Sequence, residues 1–311
     1  MGVVVRVPAT SANLGPGFDA LGLALSLYDE VAAEVVPTPG LRVSVVGEGA
    51  GELPTDDRHL VVRAIWATFD ELAVAPPAGL ALTCHNRIPQ ARGLGSSAAA
   101  IVAGVLLAGA LAPSNARRLD QAAALELAAK LEGHPDNVAA CLLGGITIAW
   151  TSDDAADGAS RGRAGQARAV RLTPSADIRP TVFVPPEPGL TAAARAALPE
   201  QVPHADAAYT AGRAALLVHA LTGDPGQLLA ATEDRLHQPY RAAAAPGTAE
   251  LVARLRAAGV AAVVSGAGPS VLALSPVPDG FDPGDGWLRH DLAVDSHGAT
   301  VREGRLEAYA R

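Results

Sequence analysis

Lysine is almost missing from this chain of 311 residues: Lys130 stands alone, and the other 23 of 24 basic residues are arginine. That scarcity weighs against a pyridoxal phosphate enzyme, which needs a Schiff-base lysine. It also excludes a Walker-type phosphate loop, because no Gly-Lys-Ser or Gly-Lys-Thr occurs. Cysteine is as sparse. Cys84 and Cys141 both lie among apolar neighbours, which excludes a disulfide framework and reads as two buried free thiols. Charged residues are only 18% of the chain, 32 acidic against 24 basic, for a net charge of -8. A surface of that sign repels polyphosphate backbones, so a nucleic acid is not an expected partner. The longest apolar run, residues 98–112, is shorter than the roughly 20 residues that span a bilayer, so no membrane segment is expected. Met1 to Pro8 lacks the charged-then-apolar order of a secretory signal, and a cytoplasmic protein is the expectation.

What is present suits a globular chain. Apolar residues make up 49%, and the length suggests about two domains with a substantial core. Val3 to Val7 reads as a strand stopped by Pro8, followed by a loop of small residues from Ala9 to Asp19. A long strand follows from Leu23 to Val36, bent near Tyr28 and Asp29, and another covers residues 42–46. Val62, Ile65, Phe69 and Leu72 form one stripe of a helix over residues 58–73. Strand 80–84, a buried helix after Ser96, helices at 119–131 and 136–142, and strand 146–150 complete the first half. Residues 151–169 carry no apolar period and read as a surface loop or linker. The second half reads as strands near Val170 and at 181–184, helices at 191–197, 205–221, 225–231 and 248–258, and short strands 261–265 and 271–274. A terminal hairpin is expected from residues 292–294 and 300–302. Long strands beside clustered helices argue for an α+β fold.

Three stretches concentrate the chemistry. In Pro89-Gln90-Ala91-Arg92-Gly93-Leu94-Gly95-Ser96-Ser97-Ala98-Ala99, glycines let the backbone approach an anion, serines add hydroxyls, and an apolar helix begins at once. A helix N-terminus presents free N–H groups and partial positive charge, a ready phosphate cradle. Without lysine, the phosphates must be neutralised by backbone, arginine (Arg92 is a candidate) and a metal. Mg²⁺ prefers a few oxygen ligands, and Ser97 with a carboxylate would serve. Glu126 suits that role, an acid set among Ala123, Leu125, Leu127 and Ala129. The second stretch, Glu132 to Asn137, presents His134, Asp136 and Asn137 together where Gly133 and Pro135 break the chain. The third, Ser265 to Ser270, is a glycine turn between two apolar strands.

With Pro8 to Gly22 added, these stretches are similar, in order and over nearly the whole chain, to the homoserine kinases of the GHMP kinase superfamily. The resemblance implies a two-domain α+β fold with the active site between an ATP-binding domain, residues 1–165, and a C-terminal domain, residues 166–311. It implies ATP, cradled by Pro89 to Ala99, and Mg²⁺ on Ser97 and Glu126. It places L-homoserine against Asn13, Asp19, His134, Asn137, Thr191, Arg195 and Arg241, with Asp19 on the ammonium and arginine on the carboxylate. Such enzymes are commonly dimers, so a homodimer is expected. Mevalonate kinases pair a catalytic aspartate with a lysine, whereas here Asn137 stands at the aspartate's position. An amide cannot act as a general base. The expectation is therefore direct attack by the homoserine hydroxyl, with Asn137, Asp136 and Arg195 as the catalytic candidates. Two other readings fit the residues less well: a superfamily kinase for mevalonate or a sugar, and a non-catalytic nucleotide-binding protein.

Overall fold

The structure, a computed structural model, describes residues 2–152, 165–189 and 191–304. Its first sheet has seven strands. Strand β1 (Gly2–Ala12) pairs antiparallel with the 15-residue β2 (Leu21–Val35). The register shifts at Pro8/Ala9, where Pro8 faces Tyr28 but Ala9 faces Leu25. Pro8 therefore does not end the strand as expected. It sits at an irregularity, where a missing N–H is tolerated, and pairing resumes to Ala12. The two ends of β2 have different partners on one side. Glu30–Val35 pair with β4 (Gly79–Asn86), and Leu21–Leu23 pair with β5 (Ile146–Ser152). Strand β3 (Gly40–Gly47) lies parallel to β4, joined through helix α1 (Leu60–Glu71).

Two expectations fail here. The stretch 151–169 is not a loop throughout. Strand β6 (Gln166–Leu172) pairs with β5 from Ser152↔Gln166 to Ile146↔Leu172, and residues 153–164 lie outside the described residues. The terminal hairpin does not form either. Strand β10 (Leu288–Asp291) pairs with β7 (Thr181–Val184) in the second sheet, and β11 (Thr300–Glu303) pairs with Val3–Arg6 of β1 in the first. Strands β6 and β11 thus belong to the first sheet, so the sheets do not divide at residues 165/166.

The second sheet has the order β10-β7-β9-β8, with β8 (Ala262–Val264) and β9 (Val271–Ala273) short and antiparallel. Alternation decides its two faces. Val182, Val184, Val263 and Leu272 join the main core, whereas Phe183, Ala262, Val271 and Ala273 form a smaller one with Leu251 and Leu255 of α9 (Pro246–Ala257). The main core runs unbroken between the sheets.

At its centre is α2 (Ser96–Leu111), buried on every side, as a helix that is apolar all round must be. Gly104 permits its tight crossing with α1, since a Cβ there would sit 2.5 Å from the Val61 carbonyl oxygen. Helices α3 (Gln121–Glu132) and α4 (Asp136–Leu143) pack beside it. The second half supplies α5 (Thr191–Ala196), α6 (His204–Thr222), α7 (Leu228–Ala231) and α8 (Gln238–Arg241). Both cysteines are free and buried, as expected, and burial pushes the Cys84 thiol up to about 12. Among the described residues no helix is long and apolar enough to cross a membrane.

Candidate active site

The four sequence stretches meet at the C-terminal end of β1. Asn13 joins two of them: its amide donates to the Gly266 carbonyl at 2.8 Å, and its Oδ1 accepts the Asp19 N–H at 2.9 Å. Asn13, Leu14 and Asp19 all have positive φ (69°, 51° and 55°), a conformation unfavourable for side-chain-bearing residues. The Gly-Ser loop packs under the same turn. Ser265 Oγ lies 2.7 Å from the Gly93 carbonyl, and Thr10 N–H donates to the Leu94 carbonyl at 3.0 Å. Gly93 must be glycine, since φ is 73° and a Cβ would lie 2.3 Å from the Ser265 carbonyl oxygen. Gly95 then stands at the N-cap of α2, and no side chain caps the helix. Its first helical bond runs from Ala99 N–H to the Gly95 carbonyl at 2.9 Å. The amides of Ser96, Ser97 and Ala98 therefore have no acceptor within the helix. Ser96 and Ser97 line a cavity of about 520 Å³ together with Asn13, Asp19, His134, Arg195 and Arg241.

The sequence candidates are not all arranged as expected. Arg92 donates to the carbonyls of Gln90, Pro185 and Pro186, so it fastens the loop to the second half rather than aiming at phosphate. Ser97 does not meet Glu126. Its hydroxyl donates to Glu132 Oε1 at 2.6 Å, while Glu126 is paired one turn along its helix with Lys130 at 3.1 Å. Burial pushes the Glu132 carboxyl up, and the Ser97 bond partly offsets that. Among the described residues no group of three or more His, Cys, Asp and Glu side chains is placed to hold a metal.

Asp19 and Arg195, expected at opposite ends of one substrate, hold each other through two bonds of 2.8 and 3.1 Å. The Asp19 bond raises the guanidinium's pKa further. Arg241 is buried. Its Nε donates to the Ala194 carbonyl at 3.1 Å, its Nη1 approaches His237 Nδ1 at 3.1 Å, and desolvation lowers its pKa. Thr191 opens α5, but its side chain lies outside the described residues. Asp136 is buried at the start of α4, and its Oδ1 accepts from the Asn137 N–H at 2.7 Å and meets His134 Nδ1 at 2.7 Å. That bond raises the His134 pKa against the opposing effect of burial. Asn137 Oδ1 accepts the Thr10 hydroxyl at 2.7 Å, which leaves Nδ2 as the group it can offer a ligand.

Sequence reasoning missed three residues. Glu132 was seen only as the start of a motif. His59, just before α1, lines the same cavity and is 4% exposed, and neither of its ring nitrogens has a hydrogen-bond partner. His237 precedes α8, a helix too short to leave a periodic signal.

The chain matches the GHMP kinases N terminal domain over residues 59–145 and the GHMP kinases C terminal domain over residues 215–280. It is similar to the homoserine kinase of Streptomyces coelicolor, with 55% identity over 304 residues, 96% of this chain and 94% of that one. With the homoserine kinase of Clavibacter michiganensis subsp. michiganensis it shares 50% over 317 aligned residues, 96% of this chain and 94% of the other. The crystal structure of homoserine kinase from Cytophaga hutchinsonii superposes with a TM-score of 0.80 at 28% identity, covering 97% of both chains. By sequence over nearly its full length and by fold, this chain belongs to the homoserine kinase family of the GHMP kinases.

Proposed function

We propose that this chain transfers the terminal phosphoryl group of ATP to the side-chain hydroxyl of L-homoserine, giving ADP and O-phospho-L-homoserine, a step toward threonine. The observation that carries this reading is one cavity with two chemically different ends. The uncapped amides of α2 and Ser97 form one end, and Asp19 with Arg195 and Arg241 forms the other. Asn137 lines the same cavity.

The phosphate end suits ATP. Residues 89–99 offer main-chain amides and the positive end of a buried helix. His59 supports placing the base in the same cavity, because its buried nitrogens lack partners and burial lowers its pKa, which keeps the imidazole neutral. Ser97 and Glu132 fit a hard cation: two oxygens already 2.6 Å apart beside free amides. They would hold Mg²⁺, which when bound neutralises phosphate charge. Glu126 is paired through Oε1 with Lys130 instead.

At the other end, a zwitterion exchanges one ion pair for two. Its ammonium takes Asp19, and its carboxylate takes Arg195 with Arg241. Asn137 Nδ2 donates to the substrate hydroxyl oxygen and orients a lone pair toward the γ-phosphorus. The new O–P bond forms as the bond to the ADP oxygen breaks, and the hydroxyl proton leaves to phosphate or water. Positioning and charge neutralisation do most of the work in such a transfer. Asp136 serves chiefly to hold His134 and the Asn137 backbone. A homodimer and residence in the cytoplasm belong to the same proposal, tested by sedimentation and by fractionation. The activity itself is tested by ADP release with homoserine, mevalonate, galactose and shikimate. Turnover with homoserine alone supports the reading, and turnover with another alcohol or with none overturns it.

A further inference from the structure

His237 is fully buried and touches neither proposed phosphate nor metal groups, yet its ring joins two parts of the candidate amino-acid end. Its Nε2 lies 2.7 Å from the Gly15 carbonyl oxygen, in the loop that carries Asn13 and Asp19. Its Nδ1 lies 3.1 Å from Arg241 Nη1. A carbonyl can only accept and a guanidinium can only donate, which fixes the proton. Nε2 carries the hydrogen and Nδ1 presents its lone pair to Arg241. The ring is therefore neutral, in one tautomer, and a lysine or arginine in its place could not do both.

The surroundings hold it there. The ring stacks on Phe18 with centroids 5.0 Å apart, and the Arg241 guanidinium carbon lies 5.2 Å from the Phe18 ring centre. Asp234 accepts the backbone N–H groups of Leu236, His237 and Gln238, which fixes the turn entering α8. Gly15 is seated just as firmly, since a Cβ there would lie 2.7 Å from the Thr232 carbonyl oxygen.

We propose that His237 is a positioning residue for the amino-acid substrate: as the neutral Nε2–H imidazole it clamps the Gly15 loop to Arg241 and holds that guanidinium where the substrate carboxylate must dock. The proposal rests on the reading of Arg241 as a carboxylate-binding group. It states more than that reading does: the arginine works only in the orientation this imidazole imposes. The dependence is specific to one substrate, because the bonds of His237 run to the amino-acid end and not to the α2 amides.

The test compares H237A, H237Q, R241M and the H237A/R241M double variant, with thermal melts to confirm folding and calorimetric binding of homoserine beside steady-state kinetics. We expect H237A to raise the homoserine KM and Kd about tenfold while the ATP KM stays within twofold. H237Q, whose amide can donate to Gly15 and accept from Arg241, recovers most of that loss. The double variant binds homoserine no more weakly than R241M. Unchanged homoserine binding in H237A beside a weakened R241M overturns the positioning role and leaves the Arg241 reading standing. Unchanged binding in R241M overturns both. Should H237A fail to fold, H237Q still decides, since H237Q as weak as R241M also overturns the proposal.

Discussion

Thr10 Oγ1 donates to Asn137 Oδ1 at 2.7 Å, a bond between residues 127 positions apart. It sets the amide's orientation, so that Nδ2 rather than the carbonyl meets a ligand. It also explains Gly95, where φ is 69° and a Cβ would lie 1.9 Å from Thr10 Oγ1. Any side chain at residue 95 would displace the hydroxyl that aims the amide. We expect T10V, which keeps shape and loses the hydroxyl, to lower kcat about tenfold with smaller changes in either KM. A hydrogen bond of this kind is worth roughly 0.5–1.5 kcal/mol, and a tenfold loss sits at the top of that range. Steady-state kinetics checks this, with T10S expected to restore the rate.

The carboxylate assignment is tested by Mg²⁺ titration of E132Q and E126Q. E132Q should raise the Mg²⁺ concentration for half-maximal rate about tenfold or more, because it keeps an acceptor for Ser97 but removes the negative charge a cation needs. E126Q should lose only the exposed pair with Lys130, and exposed pairs contribute little. The reverse ranking would return the metal to Glu126.

At the substrate end, D19N should raise the homoserine KM at least tenfold and leave the ATP KM within about twofold. The amide frees Arg195 and offers the ammonium no charge. Equal changes in both constants would remove Asp19 from the amino-acid pocket.

His59 gives the complementary result. H59L fills similar space without ring nitrogens, and we expect the ATP KM to rise several-fold while the homoserine KM holds. Direct nucleotide binding by fluorescence checks it independently of turnover.

Asp29 predicts a pH effect on stability. It is buried, and its Oδ1 accepts the Arg87 and Ile88 N–H groups at 2.6 and 2.9 Å, where the chain enters the phosphate loop. Burial outweighs those bonds and pushes its carboxyl from 3.8 up to about 6. A raised pKa means that the folded protein holds the proton more tightly than the unfolded chain. Its stabilising contribution is complete below pH 3.8 and disappears as pH rises through about 6. D29N keeps an acceptor for both N–H groups without the charge. It should therefore be more stable than the parent at pH 7 to 8, by at most about 3 kcal/mol, with the difference shrinking toward pH 4. Urea unfolding across that range measures it.

The sequence carried the outline of this site because its chemistry is clustered along the chain. The buried helix announced itself by a continuous apolar run, and Gly95-Ser96-Ser97 marked the cradle just ahead of it. His134, Asp136 and Asn137 are bunched in four residues by a glycine and a proline. What escaped is what depends on partners distant in sequence. Glu126 read as an acid in an apolar helix, but Lys130 four residues on satisfies it, while Glu132 at the helix end reaches Ser97. Residues 292–294 and 300–302 look like a hairpin by spacing, yet the true strands pair with β7 and β1. His237 sits just before a four-residue helix, where no periodicity exists to read.

The pairing of Thr300–Glu303 with Val3–Arg6 sets a limit on when the molecule can be finished. During synthesis Val3–Arg6 emerge long before their partners Thr300–Glu303. Until then the outer edge of β1 offers a row of unmatched backbone groups to any neighbouring nascent chain. A ribosome stalled before residue 300 therefore carries an exposed edge, however well the phosphate cradle behind it has formed.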